Sequence, residues 1–332
     1  MERYDTQFQL ASRYVYLAAK AFDYEVNLDT AGASGLAASV IAERNVGQLL
    51  NGVPDIGRNG LASILGRLKQ NYDVLEPSLG LNNTHDEQAQ FSLKTEWQRI
   101  TNSASWTTFL QNSVVPDLWD IPEYRQYCRP FAPESAGPQP GIVISIPGTT
   151  ITAGQNFFGR PLAAQDYSYD PSEFSTRIRS VAVWFSGYDS TTLARSPRVY
   201  LVPAGEDILR SPDANNFSLR YWPVIEQKIP IPFPASASTD SSWLTDTLNI
   251  TDQFADWARH SAFRAYPDDG GGNLADFNPS TRLIGRSVAN TRWLLIIPGA
   301  YLNGDPNQGL TDFINSVSDI KLYFQTYSAS GN

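Results

Sequence analysis

Ser316-Val317-Ser318-Asp319-Ile320-Lys321-Leu322-Tyr323-Phe324-Gln325-Thr326-Tyr327 is the stretch whose reading decides the fold. Ile320, Leu322 and Phe324 alternate with Lys321, Tyr323 and Gln325, which is the period of a strand with one face to a core and one to solvent. A strand this close to the C-terminus needs partners from earlier in the chain, because a lone strand leaves its own amides and carbonyls unbonded. The fold is expected to close on its tail.

Upstream of that strand the period of two extends back to Gly141. Candidate strands are Ile142 to Ile146, Arg177 to Phe185, Arg198 to Val202, Val224 to Ile231 and Arg292 to Ile297, with one possible helix at Thr251 to Arg259. Short strands joined by Pro- and Gly-containing connections predict an antiparallel β-sandwich of jelly-roll-like order. Val181, Trp184, Trp293 and Ile320 read as core.

Before Gly141 the period is helical. Tyr4, Phe8, Ala11, Val15, Ala18 and Phe22 form one apolar series, and Leu10, Tyr14, Leu17, Ala21, Tyr24 and Leu28 form another. Two series on one helix leave a narrow polar strip, so this helix is expected to be packed on several sides, and it begins without a capping residue, as a helix cut from a longer one does. A low-complexity run follows from Ala31 to Ser39, and Gly52-Val53-Pro54-Asp55 reads as a loop. Leu61, Ile64, Leu65, Leu68, Tyr72 and Leu75 make the single stripe of an amphipathic helix ended by Pro77. Thr84 and Glu87 have capping-box spacing, which predicts a third helix carrying Phe91 and Leu93. Prolines from Pro116 to Pro140 mark a connector. The chain is α+β and mostly β: a helical segment over 1–115, a Pro-rich connector over 116–140 and a β-sandwich domain over 141–332.

Composition narrows the function. In 332 residues, 25 Lys and Arg stand against 34 Asp and Glu, so the net charge of -9 argues against a nucleic-acid partner. The single Cys128 gives no disulfide framework, and no apolar run reaches the length of a membrane-spanning helix. The first residues lack the pattern of a secretory signal, so membrane contact by this segment is not expected. His85 and His260 are the only histidines; both read as structural, which leaves Cys128 without an obvious base and the chain without a zinc-ligand cluster. Asp268-Asp269-Gly270-Gly271-Gly272-Asn273, with Asp276, offers Ca²⁺-type ligands but lacks EF-hand spacing, and a solvated turn is the favoured reading. No catalytic, cofactor-binding or metal-binding residue is assigned, and no cofactor is expected. Tyr167, Tyr169, Tyr188, Trp222, Tyr266 and Tyr301 fall in or beside predicted loops, where aromatic faces suit a sugar platform.

Several segments, in order, carry a resemblance. Tyr4-Asp5 through Leu10-Ala11 to Leu17-Ala18-Ala19-Lys20-Ala21-Phe22-Asp23-Tyr24-Glu25, then Phe174-Ser175-Thr176-Arg177-Ile178-Arg179-Ser180-Val181, then Thr281-Arg282-Leu283 to Trp293-Leu294-Leu295-Ile296-Ile297-Pro298, and finally Val317-Ser318-Asp319-Ile320-Lys321-Leu322 are similar to the C-terminal region of the A subunit of bacterial insecticidal toxin complexes. That region carries the domain that binds the B subunit. The resemblance implies a non-enzymatic protein-interaction and assembly module, extracellular or at the cell surface as part of a larger bacterial protein. Its implied partners are a toxin B subunit and identical subunits in a ring, with docking residues unassigned. The alternative is a carbohydrate-binding, lectin-like sandwich of a large surface or secreted protein.

Overall fold

The computed structural model describes residues 2–28, 31–128, 137–148, 153–194, 197, 199–212, 218–223 and 285–330. The terminal strand, β11 (Asp319–Ala329), lies between β3 (His85–Ser92) and β6 (Phe174–Ser186), antiparallel to both. Ile320, Leu322, Phe324 and Thr326 point inward and are fully buried, while Lys321, Gln325 and Tyr327 on the other face are partly exposed. The chain does close on its tail.

A second antiparallel sheet faces this one. Its centre is β10 (Asn290–Pro298), paired on one side with β5 (Gly141–Gly148), which in turn pairs with β4 (Val114–Val115). On its other side run β7 (Tyr200–Pro203) and β8 (Asp207–Arg210), with β9 (Leu219–Trp222) beyond β8. Between the sheets, Ile142, Ile144, Ile146, Trp293, Leu295 and Ile297 meet Phe91, Val181, Val183, Leu322 and Phe324 in one core. Leu294 and Ile296 face the opposite way, under Leu118, Tyr124 and Cys128 of the Pro-rich connector. Burial on both faces explains why β10 reads as the continuous apolar run Trp293–Ile297 rather than as an alternation.

The helical part is small. Helices α1 (Glu2–Val26), α2 (Ala31–Ala42) and α3 (Leu61–Ser78) share a core of Val15, Ala19, Ala37, Val40, Leu61, Ile64 and Leu68. The low-complexity run belongs to α2, and α3 runs one residue past Pro77. The architecture is α+β and mostly β, with helices first and a sandwich after.

The expected third helix at Thr84 is corrected: His85–Ser92 is a strand. Pairing of all eight residues with β11 outweighs a capping signature that concerns only local amides, and Ala89 and Phe91 become core. A single π turn, Leu93–Trp97, follows it. Two helices escape the sequence reading. One is α4 (Ser103–Asn112), whose Trp106 and Leu110 are buried and whose Asn102 side chain accepts from the Ser105 amide. The other is α5 (Pro306–Ser316), started by Asp305 and Pro306, with Leu310, Phe313 and Ile314 turned inward. Strands β3 and β4 with α4 make residues 85–115 part of the sheet-bearing region.

Candidate functional site

The two apolar series of α1 have different fates. Phe8, Ala11, Val15, Ala18 and Phe22 pack onto α2 and α3. Leu10 (53%), Tyr14 (64%) and Leu17 (44%) stand exposed on the other side. The expectation of a helix packed on several sides is therefore met along one side only between Leu10 and Leu17. Tyr24, at the lower end of the exposed series, inserts into the sandwich.

Exposure is concentrated in this part of the molecule. Of the thirteen large apolar side chains that stand exposed among the described residues, eleven lie between Leu10 and Val74, so among those residues the exposed apolar surface lies mainly on the helical unit. Five of the eleven, Val46, Leu49, Leu50, Val53 and Ile56, sit on or beside the hairpin of β1 (Leu49–Leu50) and β2 (Val53–Pro54). Asn51 (φ 52°) and Gly52 (φ 82°) both have the left-handed backbone of a type I′ turn, and Leu50 pairs with Val53 across it. Gly52-Val53-Pro54-Asp55, expected as a loop, is instead the turn and second strand of this hairpin, and Asn-Gly between apolar residues is its sequence signal.

A polar joint fixes α1 to the sandwich. The Arg177 guanidinium from β6, almost wholly buried, donates to the carbonyls of Tyr24 (2.6 Å) and Glu25 (2.8 Å) and pairs with the Glu25 carboxylate at 2.9 Å. Ser211 donates to the Asn27 carbonyl and Arg220 to that of Leu28, so the C-terminal carbonyls of the helix, where the dipole is negative, meet donors from three sandwich segments. Asn27 takes the left-handed conformation (φ 49°) that ends the helix, and its side chain bonds Arg210 and Trp222. Beside it, fully buried Asp207 of β8 accepts from Arg286 (3.0 and 3.1 Å), Asn290 (2.9 Å) and the Tyr24 hydroxyl (3.1 Å). Burial raises the Tyr24 phenol well above its ordinary range, so it acts as a neutral donor here.

Residues singled out for chemistry are scattered. His85 opens β3, largely exposed, with Nδ1 2.7 Å from Glu173. Cys128 is buried under the other sheet, and burial pushes its thiol pKa up, away from nucleophilic character. Tyr169 and Tyr188 are buried in the core, which corrects their placement on an exposed aromatic platform. Tyr167 packs against the same core and donates to Glu87, and Trp222 stacks edge-on to Tyr24 at the joint. Tyr301 is partly buried. No group of three or more potential metal ligands forms among the described residues. His260, Tyr266, Asp268 to Asn273 and Asp276, the strand at Val224 to Ile231 and the helix at Thr251 to Arg259 lie outside the described residues.

A carboxyl seam runs beside β3. Burial and the neighbouring Glu173 push the Glu87 carboxyl up to about 7, and burial pushes Glu96 up to about 7. One oxygen of each carboxyl is buried without a hydrogen-bond partner. Glu87 lies within β3 and Glu96 in the π turn that follows it. No helix among the described residues is long and apolar enough to cross a membrane.

No family model matches the chain, and no curated protein matches it.

Proposed function

We propose that this chain is a non-enzymatic protein-interaction and assembly module, the docking end of a toxin-complex A subunit in the resemblance read from its sequence. In this reading the helical unit packs against identical subunits around a ring, and the sandwich is the platform for a B-subunit-like partner, outside the cell or at its surface. The observation that carries it is the bare apolar face of α1 at Leu10, Tyr14 and Leu17. Leaving such a face in water forfeits about 25 cal/mol for each Å² that a neighbour would cover, a driving force that scales with the contact area. The joint around Asp207 and Arg177 supports the same reading, because it ties the sticky helix firmly to the platform. The sugar-binding alternative lacks comparable support, since two of its aromatics are buried.

Light scattering on the eluting full chain tests the reading. Assemblies are expected for the natural sequence and monomers for a Leu10→Glu, Leu17→Glu double variant with an unchanged circular dichroism spectrum. Monomers for both, at every concentration short of precipitation, would refute self-assembly.

A further inference from the structure

The β1–β2 hairpin is an apolar projection. Leu49, Leu50 and Val53 are about two-thirds exposed, and Val46 and Ile56 are exposed at its base. A Cβ added at Gly52 would meet nothing within 4 Å, so the tip stands clear of its surroundings. At about 3.3 Å per residue, Asn51 reaches roughly 10 Å beyond Gln48.

The hairpin is stiff. Its type I′ turn matches the natural strand twist, and its base is closed by bonds from the Asp55 amide to the Gln48 carbonyl (2.9 Å) and from Arg58 to the Gln48 side chain (2.8 Å). The Leu49–Pro54 pair falls next to that bonded rung, where backbone groups point outward, and Pro54 has no amide to leave bare there. From Leu49 to Pro54 no side chain is charged. The base, by contrast, is basic: from Glu43 to Arg67 the chain carries Arg44, Arg58 and Arg67 against Glu43 and Asp55, in a protein of net charge -9. Arg58 pairs with Asp55 at 3.4 Å, whereas the guanidinium groups of Arg44 and Arg67 donate to backbone carbonyls and form no ion pair among the described residues.

We propose that the β1–β2 hairpin is a lipid-surface anchor: its uncharged tip enters the interfacial region of an anionic bilayer while Arg44, Arg58 and Arg67 meet the phosphates. Charge and area select this occupant. Positive charge at the base of an apolar tip, on a chain that is acidic as a whole, complements an anionic lipid surface. The tip offers only a few hundred Å² of apolar surface, against about 800 Å² per partner in a stable protein interface, whereas fluid acyl chains close around any small projection. Its reach matches the depth of roughly 5–10 Å at which interfacial elements are buried, and long arginine side chains keep their heads at the phosphates. The expectation of no membrane contact concerned spanning length and a leader pattern, and a hairpin that lies in the interface needs neither. The anchor uses none of Leu10, Tyr14 and Leu17, so it is independent of the self-assembly proposed above.

Flotation of the full chain with vesicles tests it, using phosphatidylcholine alone and with about 30% phosphatidylserine. The natural chain is expected to bind the anionic vesicles about tenfold more tightly, a margin lost in about 0.5 M salt, where arginine and phosphate are screened. Leu50→Asp is expected to bind about tenfold more weakly at an equal melting temperature, and an Arg44→Gln, Arg67→Gln variant to lose the preference for anionic vesicles. An environment-sensitive dye on Leu50→Cys, selective because Cys128 is buried, is expected to shift to the blue with anionic vesicles while one on Tyr221→Cys does not, a readout that needs no weakened variant. Natural-strength binding by Leu50→Asp, or no shift at position 50, overturns the hairpin as the anchor. Loss of vesicle binding in the Leu10→Glu, Leu17→Glu variant would move the contact to α1 and overturn it equally. A natural chain that ignores both vesicles overturns a lipid surface as the occupant and leaves self-assembly standing.

Discussion

Asp207 shows how one side chain joins the two halves of the molecule. Its carboxylate is wholly buried and holds Arg286, Asn290 and Tyr24, the last from a helix 183 positions away in sequence. A buried ion pair of this kind adds little net stability over an apolar replacement, but removing one partner takes the counter-charge from the other while it stays buried. Asp207→Ala is therefore expected to cost about 3–5 kcal/mol in urea unfolding, because the Arg286 guanidinium loses its carboxylate. A loss under about 1 kcal/mol would mean that water or another group takes over, and the joint would not be the tight link described. Nothing in the local sequence Ala204-Gly205-Glu206-Asp207 announces this role. It exists only after β8, β10 and α1 have converged, which is why it was invisible from the sequence.

At the scale of elements, the β3–β11 seam makes stability depend on pH. Glu87 faces Glu173, His85, Asp170 and the Tyr167 hydroxyl, and Glu96 faces Asp166, Asp319, Arg99 and the Ser92 amide. Both carboxyls sit near 7 in the fold, against an ordinary value near 4.5. Since the folded value is raised, the fold keeps its full stability below about pH 4.5 with respect to these groups and loses it as pH rises through 7. Melting temperature should fall between pH 5 and pH 8. The loss is on the order of 1 kcal/mol per group after solvent screening, and a Glu87→Gln, Glu96→Gln variant should flatten that slope. A natural chain with no slope in this window, or a variant with the same slope, contradicts the assignment. The same seam shows what was legible in the sequence. Strand β11 could be read because three large apolar residues alternate with polar ones. Strand β3 could not, because its inward positions Glu87, Ala89 and Phe91 include a carboxyl and a methyl, too weak an alternation to compete with a capping box. Helices α4 and α5 each show only two or three inward residues, yet both carry good starting signals in Asn102 and in Asp305-Pro306.

For the whole molecule, the contrast among the described residues between a largely covered sandwich and a barer helical unit is half legible in the sequence. The two apolar series of α1 were visible in sequence, but only the fold shows that one series is used internally and the other is left to solvent. The hairpin is marked in the sequence by Asn51-Gly52 alone, a short signal beside the longer helical periods on either side. The central claim is that another protein surface covers the outer face of α1 in solution. Hydroxyl-radical footprinting across a concentration series tests it directly, with Tyr14 on that face (64% exposed) and Tyr221 on the sandwich (55% exposed) as an internal pair. The account predicts that Tyr14 labelling falls as concentration rises while Tyr221 labelling holds steady; parallel labelling of the two tyrosines at every concentration would contradict it.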